Sequence, residues 1–210
     1  MIKQAIIPLA GLGTRMLPLT SVMPKELLPI NGKPNLEYIL EECLDAGVKQ
    51  FIFIISKKKM NIKKYFYNDF FYKKLLKKKK DKRIEKEYKK LKKYRKMIKF
   101  VYQNQPKGTG DAVLKCSNHI RGKYFLMLLP DDLIIKKNCT KEMIRLHKQK
   151  KGSVIGTKIV PKKNVSRWGI LSFKKKKKNI FQITDVIEKP KIKDAKPNYA
   201  IIGRYILPKK

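Results

Sequence analysis

One junction constrains this chain more than any other: the apolar run Ala5-Ile6-Ile7-Pro8-Leu9-Ala10 empties directly into Gly11-Leu12-Gly13-Thr14-Arg15-Met16-Leu17-Pro18. The run has the length and apolarity of a buried parallel strand, and a strand that ends in a glycine turn implies an α/β sheet with a ligand at the strand end. Glycine tolerates positive φ and lets the main chain approach a ligand, so successive N–H groups in Gly-x-Gly can point at anionic oxygens. Arg15 and Lys25 follow ten residues apart and would neutralise what those amides hold. Two familiar phosphate loops are excluded. The dinucleotide fingerprint needs a third glycine where Met16 stands, and Walker A needs Gly-Lys-Ser/Thr.

The remaining chain reads as alternating strands and helices. Residues 3–9 form the first strand. Pro34 suits the first position of a helix whose apolar residues, Leu36, Ile39, Leu40, Cys43 and Leu44, recur at helical spacing up to Ala46-Gly47. Phe51–Ile55 and Ile98–Tyr102 are further strands. Tyr124–Leu129 is the most hydrophobic strand and is expected at the centre of the sheet. A helix over about Thr140–Gln149, a strand over Val154–Val160, an exposed turn at Lys174–Lys178 and strands over Asn179–Ile187 and Tyr199–Leu207 complete the reading.

Charge must be separated from function. The chain has 210 residues and a net charge of +37, which raises nucleic-acid binding as a first thought. Yet of its 53 basic residues only seven are Arg, the residue suited to bidentate phosphate and base recognition. The Lys excess, with abundant Ile, Asn, Tyr and Phe, reads as compositional drift. Between Lys57 and Lys99, 19 Lys and 2 Arg face four acids, but Ile62, Tyr65, Phe66 and Phe70, then Ile84, Tyr88, Leu91 and Tyr94, keep helical periodicity. Two long helices with a solvated lysine face are expected there, weakened by repulsion. No apolar stretch is long enough to span a membrane. Cys43, Cys116 and Cys139 lack metal-ligand spacing and fit a reducing cytoplasm, and His119 and His147 lack a catalytic partner in sequence.

Read together, Ala-Gly-Leu-Gly-Thr-Arg-Met-Leu-Pro and the later Pro24-Lys25-Glu26-Leu27-Leu28-Pro29 resemble the signature of the sugar-nucleotide pyrophosphorylases, which join a nucleoside triphosphate to a sugar 1-phosphate. Three further segments carry the likeness: Gln105 to Gly110 with Asp111-Ala112-Val113, Pro130-Asp131-Asp132 after the central strand, and Trp168-Gly169-Ile170 with Glu188-Lys189-Pro190. The resemblance implies a Rossmann-like, mostly parallel sheet flanked by helices, of the nucleotide-diphospho-sugar transferase type, as one domain over residues 1–210. It implies UTP and glucose 1-phosphate as substrates, with a sugar-phosphate thymidylyltransferase as the alternative within the family. Ala10, Gly11, Gly13, Thr14, Glu26, Gln105 and Gly110 are then expected around the nucleotide, and Gly169 and Glu188 around the sugar. Arg15, Lys25 and Lys189 are expected to carry charge neutralisation, and Asp131 to hold Mg²⁺, a hard cation suited to carboxylate and phosphate oxygens. Asp132 is an additional candidate.

The resemblance also implies a homo-oligomer and a cytoplasmic enzyme. Relatives continue past the point matching Arg204-Tyr205, so a further acidic residue of the metal site and the closing helices are expected to be missing here. A chain shortened in that way leaves an inactive, polyanion-binding protein as the competing expectation.

Overall fold

The computed structural model describes residues 2–105, 107–177, 179–194 and 198–209. In chain order the elements are β1 (Gln4–Pro8), β2 (Pro29–Ile30), β3 (Lys33–Pro34), α1 (Asn35–Asp45), β4 (Gln50–Ile55), α2 (Met60–Tyr67), α3 (Asp69–Lys78), α4 (Lys82–Met97), β5 (Ile98–Tyr102), α5 (Gly108–Leu114), β6 (Tyr124–Leu128), α6 (Cys139–Lys150), β7 (Val154–Ile159), β8 (Gly169–Lys177), β9 (Ile180–Glu188) and β10 (Tyr199–Pro208). The main sheet runs β5-β4-β1-β6-β10-β8-β9, with β7 pairing β10. Its β5-β4-β1-β6 half is parallel, whereas β10 runs antiparallel to β6, β7 and β8, and β8 antiparallel to β9.

Pleating sorts the apolar strands into two cores. Ala5 and Ile7 of β1, Phe51, Phe53 and Ile55 of β4, and Leu126 and Leu128 of β6 face one side, where α1, α2, α4 and α6 pack through Leu36, Ile39, Ile62, Phe66, Leu91 and Met143. The intervening Ile6, Ile52, Ile54, Phe125 and Met127 face the other side with Ala112, Cys116 and Ile120. Strands buried on both faces have to read as unbroken apolar runs, which is why β1, β4 and β6 stand out in the sequence. β6 does lie at the centre of the strand order, between parallel β1 and antiparallel β10.

The lysine-rich segment differs from expectation by one break. It forms three helices, because Asn68 leaves helical geometry and its side chain accepts the Phe71 N–H at 3.4 Å, capping α3. Asp81 caps α4 in the same way, accepting from Arg83 and Ile84, and those N–H groups hold its carboxyl below the usual range. Pro34 also differs, as the extended residue before α1 and not its first helical one. The expected turn at Lys174–Lys178 is reached late, since β8 continues to Lys177, and residue 178 lies outside the described residues.

Helix α3 buries none of its residues; it is held by the stacked pair Tyr72 and Tyr88 and by Arg95 on Asp69 at 2.7 Å. With few buried contacts and a lysine fan, α3 opens locally at low cost. Hydrogen–deuterium exchange should show amides of Asp69–Lys78 exchanging roughly tenfold or more faster than those of α1, and slowing as added salt screens the lysines. Equal protection of α3 and α1 would contradict this account.

Candidate active site at the strand ends

Parallel pairing of Ala5 with Leu126 and Ile6 with Met127 brings the loop after β1 and the Pro130-Asp131-Asp132 segment after β6 to one sheet edge. The Leu9 N–H bonds the Ile54 carbonyl at 2.7 Å and extends the ladder to the start of the glycine turn. Gly13 has φ +72°, and a Cβ there would stand 3.1 Å from Thr20 Cγ2, so a larger residue would have to strain the turn. Thr20 Oγ1 donates to the Gly13 carbonyl at 2.9 Å and closes the loop over residues 13–20. Thr14 and Arg15 follow in a short 3₁₀ turn, Ala10 is buried beneath, and space above Gly11 is open.

Three of the expected charges meet here. Lys25 Nζ donates to Asp131 Oδ1 at 2.5 Å, and Arg15 Nη2 lies 3.7 Å from Asp131 Oδ2. Arg15 is 85% exposed and Lys25 only 18%, so the lysine is held and the arginine free to swing. Asp132 is turned away: its Oδ2 accepts from the Gly203 N–H at 3.2 Å and its Oδ1 lies 3.7 Å from Lys158. Glu26 also departs from expectation. It points into the protein, 1% exposed, with Lys59 Nζ 2.8 Å from both of its carboxylate oxygens.

The segment after β5 places its two glutamines differently. Gln105 is exposed, whereas Gln103 is buried, its N–H bonded to the Ile55 carbonyl at 2.9 Å. The Gln103 amide donates to the Gly108 carbonyl at 3.1 Å and to Asp111 Oδ2 at 2.7 Å, which braces the turn into α5. Gly110 lies in the first turn of α5 with open space beside it. Gln103 and Gln105 both follow the end of β5 at Tyr102, so no strand alternation separates them; the ladder bond from the Gln103 N–H to Ile55 and the bracing of its side chain by the turn into α5 are what turn Gln103 inward.

Across the edge, Gly169 of β8 pairs with Glu188 of β9, and Glu188 Oε2 stands 3.0 Å from where a Gly169 Cβ would be. Lys189 lies beyond, 3.8 Å from Glu188, at φ +48°, a strained conformation for a non-glycine residue and one that concentrates at functional sites. Its N–H bonds the Trp168 carbonyl at 3.0 Å. Lys158 Nζ lies 4.0 Å from the Trp168 ring centre while also facing Asp132, so this one side chain connects the two halves of the edge.

Beneath the edge lies Arg204, 1% exposed, an assignment missed in sequence because a basic residue in a strand looks solvent-facing. It pairs with Glu42 at 2.8 Å and donates to the carbonyls of Leu129, Gly203 and Asp132.

A family model described as nucleotidyl transferase matches residues 4–210. The chain belongs to that family. It is 37% identical over 98% of its length to the UTP–glucose-1-phosphate uridylyltransferase of Mycoplasma pneumoniae, and 36% identical over 98% to that of Bacillus subtilis, spanning 72% and 70% of those proteins. Among solved structures, UTP-bound UDP-glucose pyrophosphorylase from Acinetobacter baumannii matches with a TM-score of 0.85 and 30% identity over 99% of this chain and 75% of that one. A UDP-glucose pyrophosphorylase complexed with UDP-glucose matches with a TM-score of 0.82 and 32% identity, over 99% and 76%.

Both histidines of this nucleotidyltransferase have structural partners. His147 Nδ1 lies 2.7 Å from the Gly152 carbonyl with its ring against Tyr124, and His119 Nδ1 lies 3.2 Å from Lys99. The three cysteines are free, and burial pushes Cys116 up to about 12 and Cys139 up to about 11. Among the described residues no helix is long and apolar enough to cross a membrane.

Arg204→Met leaves the Glu42 carboxylate buried without its cation. A loss of about 3–5 kcal/mol is expected, measured from denaturant midpoints, because breaking one side of a buried pair strands the other charge. A loss below 1 kcal/mol would show that the pair is dispensable.

Proposed function

We propose that this protein transfers a uridylyl group from UTP to glucose 1-phosphate, giving UDP-glucose and pyrophosphate. The observation that carries the reading is the convergence of Arg15, Lys25 and Asp131 beside the glycine turn, on the edge that also presents Glu188 and Lys189. Support comes from relatives that bear this activity in their names and are matched along nearly the whole of this chain.

In this reading a phosphate oxygen of the sugar attacks the α-phosphorus in line. A new P–O bond forms to the sugar phosphate, and the bond to pyrophosphate breaks. The attacking oxygen is already ionised at neutral pH, so no protein nucleophile is needed, and alignment and charge neutralisation supply the catalysis. Main-chain N–H groups at Gly11, Gly13 and Thr14 cradle the triphosphate, with Ala10 beneath the nucleotide. Arg15 swings onto the phosphates and Lys25 neutralises them from its held position. Lys189 holds the sugar phosphate as a compact cation, and Glu188 accepts from sugar hydroxyls beside Gly169.

Gln103 is better placed than Gln105 to meet the base, being buried and braced at the strand end, with Gly110 leaving room for the ring. Glu26 supports the loop from behind.

A divalent ion fits the donor set. Asp131 is a half-exposed carboxylate at a strand end, and Mg²⁺ commonly uses one or two carboxylates plus substrate phosphates. When bound, Mg²⁺ would neutralise phosphate charge. A cytoplasmic location fits a reaction that consumes UTP.

Lys25→Ala should lower kcat for UDP-glucose formation by roughly two to three decades, the loss seen when one preorganised donor is removed. Wild-type turnover in that variant would remove Lys25 from the mechanism. Gln103→Ala should raise KM for UTP by roughly tenfold or more, while Gln105→Ala changes it less than about twofold. The reverse order would return the base contact to Gln105.

A further inference from the structure

The turn that carries Lys25 is short. Lys25–Leu27 is one 3₁₀ turn between Pro24 and Leu28, and a turn of three residues does not fix its own orientation. Its side chains diverge: Leu27 packs against the main core, Lys25 reaches out to Asp131, and Glu26 points inward to Lys59. Lys59 comes from a different part of the chain, the 3₁₀ turn Lys57–Lys59 after β4, where its N–H bonds the Ser56 carbonyl at 2.9 Å. The residues that follow, Ile62 and Phe66, are seated in the core, so Lys59 stands on a rigid base.

Two bonds of 2.8 Å to both oxygens of one carboxylate fix direction as well as distance. A buried ion pair is a poor source of net stability, because desolvating two charges offsets their attraction, and an apolar pair would hold the turn at least as firmly. What an apolar pair would not supply is orientation. Lys59 also feels the charges of Lys25 and Asp131, so the four groups alternate in sign, Lys59, Glu26, Lys25, Asp131, from core to surface.

We propose that Lys59 is a positioning residue: by gripping both carboxylate oxygens of Glu26 it sets the rotation of the Lys25–Leu27 turn, and thereby where the Lys25 ammonium stands relative to Asp131 and to the phosphates. The role of Lys25 toward phosphate rests on the uridylyl-transfer reading; the geometric coupling of Lys59 to Lys25 does not.

The decisive comparison is the double variant E26Q/K59M, which replaces both charges by neutral side chains of similar size. Its melting temperature should equal or exceed that of the parent protein, as expected when a buried ion pair is replaced by neutral groups. Its kcat should nevertheless be lower by roughly 10- to 100-fold, the scale set by small misplacements of a catalytic group, with KM for UTP and glucose 1-phosphate changed less than about threefold. K59R, which keeps the paired charge, should stay within about threefold of the parent kcat.

A readout that needs no activity runs alongside. The acetylation rate of Lys25 by a limiting acetic anhydride pulse, read by mass spectrometry against exposed lysines such as Lys86, should change by roughly threefold or more in E26Q/K59M and little in K59R. A double variant with parent melting temperature, parent kcat and parent Lys25 acetylation would overturn the proposal. If the double variant does not fold, Glu26→Asp carries the same test, since it keeps both charges and shortens the reach by one methylene. Lowered kcat with a shifted Lys25 label supports the coupling, and no change in either overturns it. If the parent protein forms no UDP-glucose, the functional reading falls, and the acetylation comparison still decides the coupling.

Discussion

The pairing of Arg204 with Glu42 is the constraint on which the active edge depends. A guanidinium has five donors and no acceptor, so burying one requires a full set of acceptors around it. Here the set is the Glu42 carboxylate of α1 and the carbonyls of Leu129, Asp132 and Gly203. Two of those carbonyls flank Pro130 and Asp131, so satisfying Arg204 fixes the path of the segment that presents Asp131. The same carboxylate accepts from Thr140 Oγ1 at 2.7 Å, which ties the start of α6 to α1. Close approach completes the arrangement: a Cβ on Gly203 would stand 2.4 Å from Leu129 Cβ, so only glycine lets β10 lie this near the end of β6.

Acidic residues are scarce in a chain of 53 basic and 16 acidic residues, and their use follows from that scarcity. Among the described residues eleven of the sixteen are in ion pairs, and the buried ones stand at junctions between elements. Glu26 joins the catalytic loop to the end of β4. Glu37 joins α1 to α4 through Lys90 at 2.9 Å and to α2 through the Tyr65 hydroxyl. Glu42 joins α1 to β10. The lysines that lack such partners are spread along the chain, with exposed rows on α3 and α4, where solvent screens them. The basic excess is therefore a property of the surface, while specificity of packing rests on a few buried carboxylates.

How much of this was legible follows from which residues speak locally. A strand buried on both faces and a Gly-x-Gly turn leave short-range marks, so β1, β4, β6 and the loop at Gly11–Thr14 could be read, and with them the placing of Arg15, Lys25 and Asp131 on one edge. The lysine turn marked β8 and β9 as a returning pair, but β10 left no such mark, because its direction is set by its pairing with β6, some 70 residues away in sequence. Side-chain direction at the ends of elements was also silent. Glu26 and Gln105 have the right chemistry for a nucleotide, yet one turns into the protein and the other out to solvent. In a three-residue 3₁₀ turn, or just past the end of a strand, no periodicity is long enough to fix which side chains point inward. Arg204 and Lys59 were hidden for a different reason: their partners, Glu42 and Glu26, are distant in sequence, and a chain with this many cations gives no cue to which of them are buried.

The surface charge still bears on the proposed chemistry through the field it sets up. Both proposed substrates are anions, and an edge lined by Arg15, Lys25, Lys158 and Lys189 on a protein of net charge +37 concentrates anions near it. Such a field speeds encounter but does not discriminate between anions, since pyrophosphate, UTP and any nucleic acid feel it alike. In the proposed reading, discrimination comes from groups whose positions are fixed, the braced Gln103 and a Lys25 held by Asp131 and its own turn. That division explains why the site surrounds one half-exposed carboxylate, Asp131, with cations on both sides. Asp131 accepts from Lys25 and lies 3.7 Å from Arg15, so one carboxylate balances the two cations beside the glycine turn.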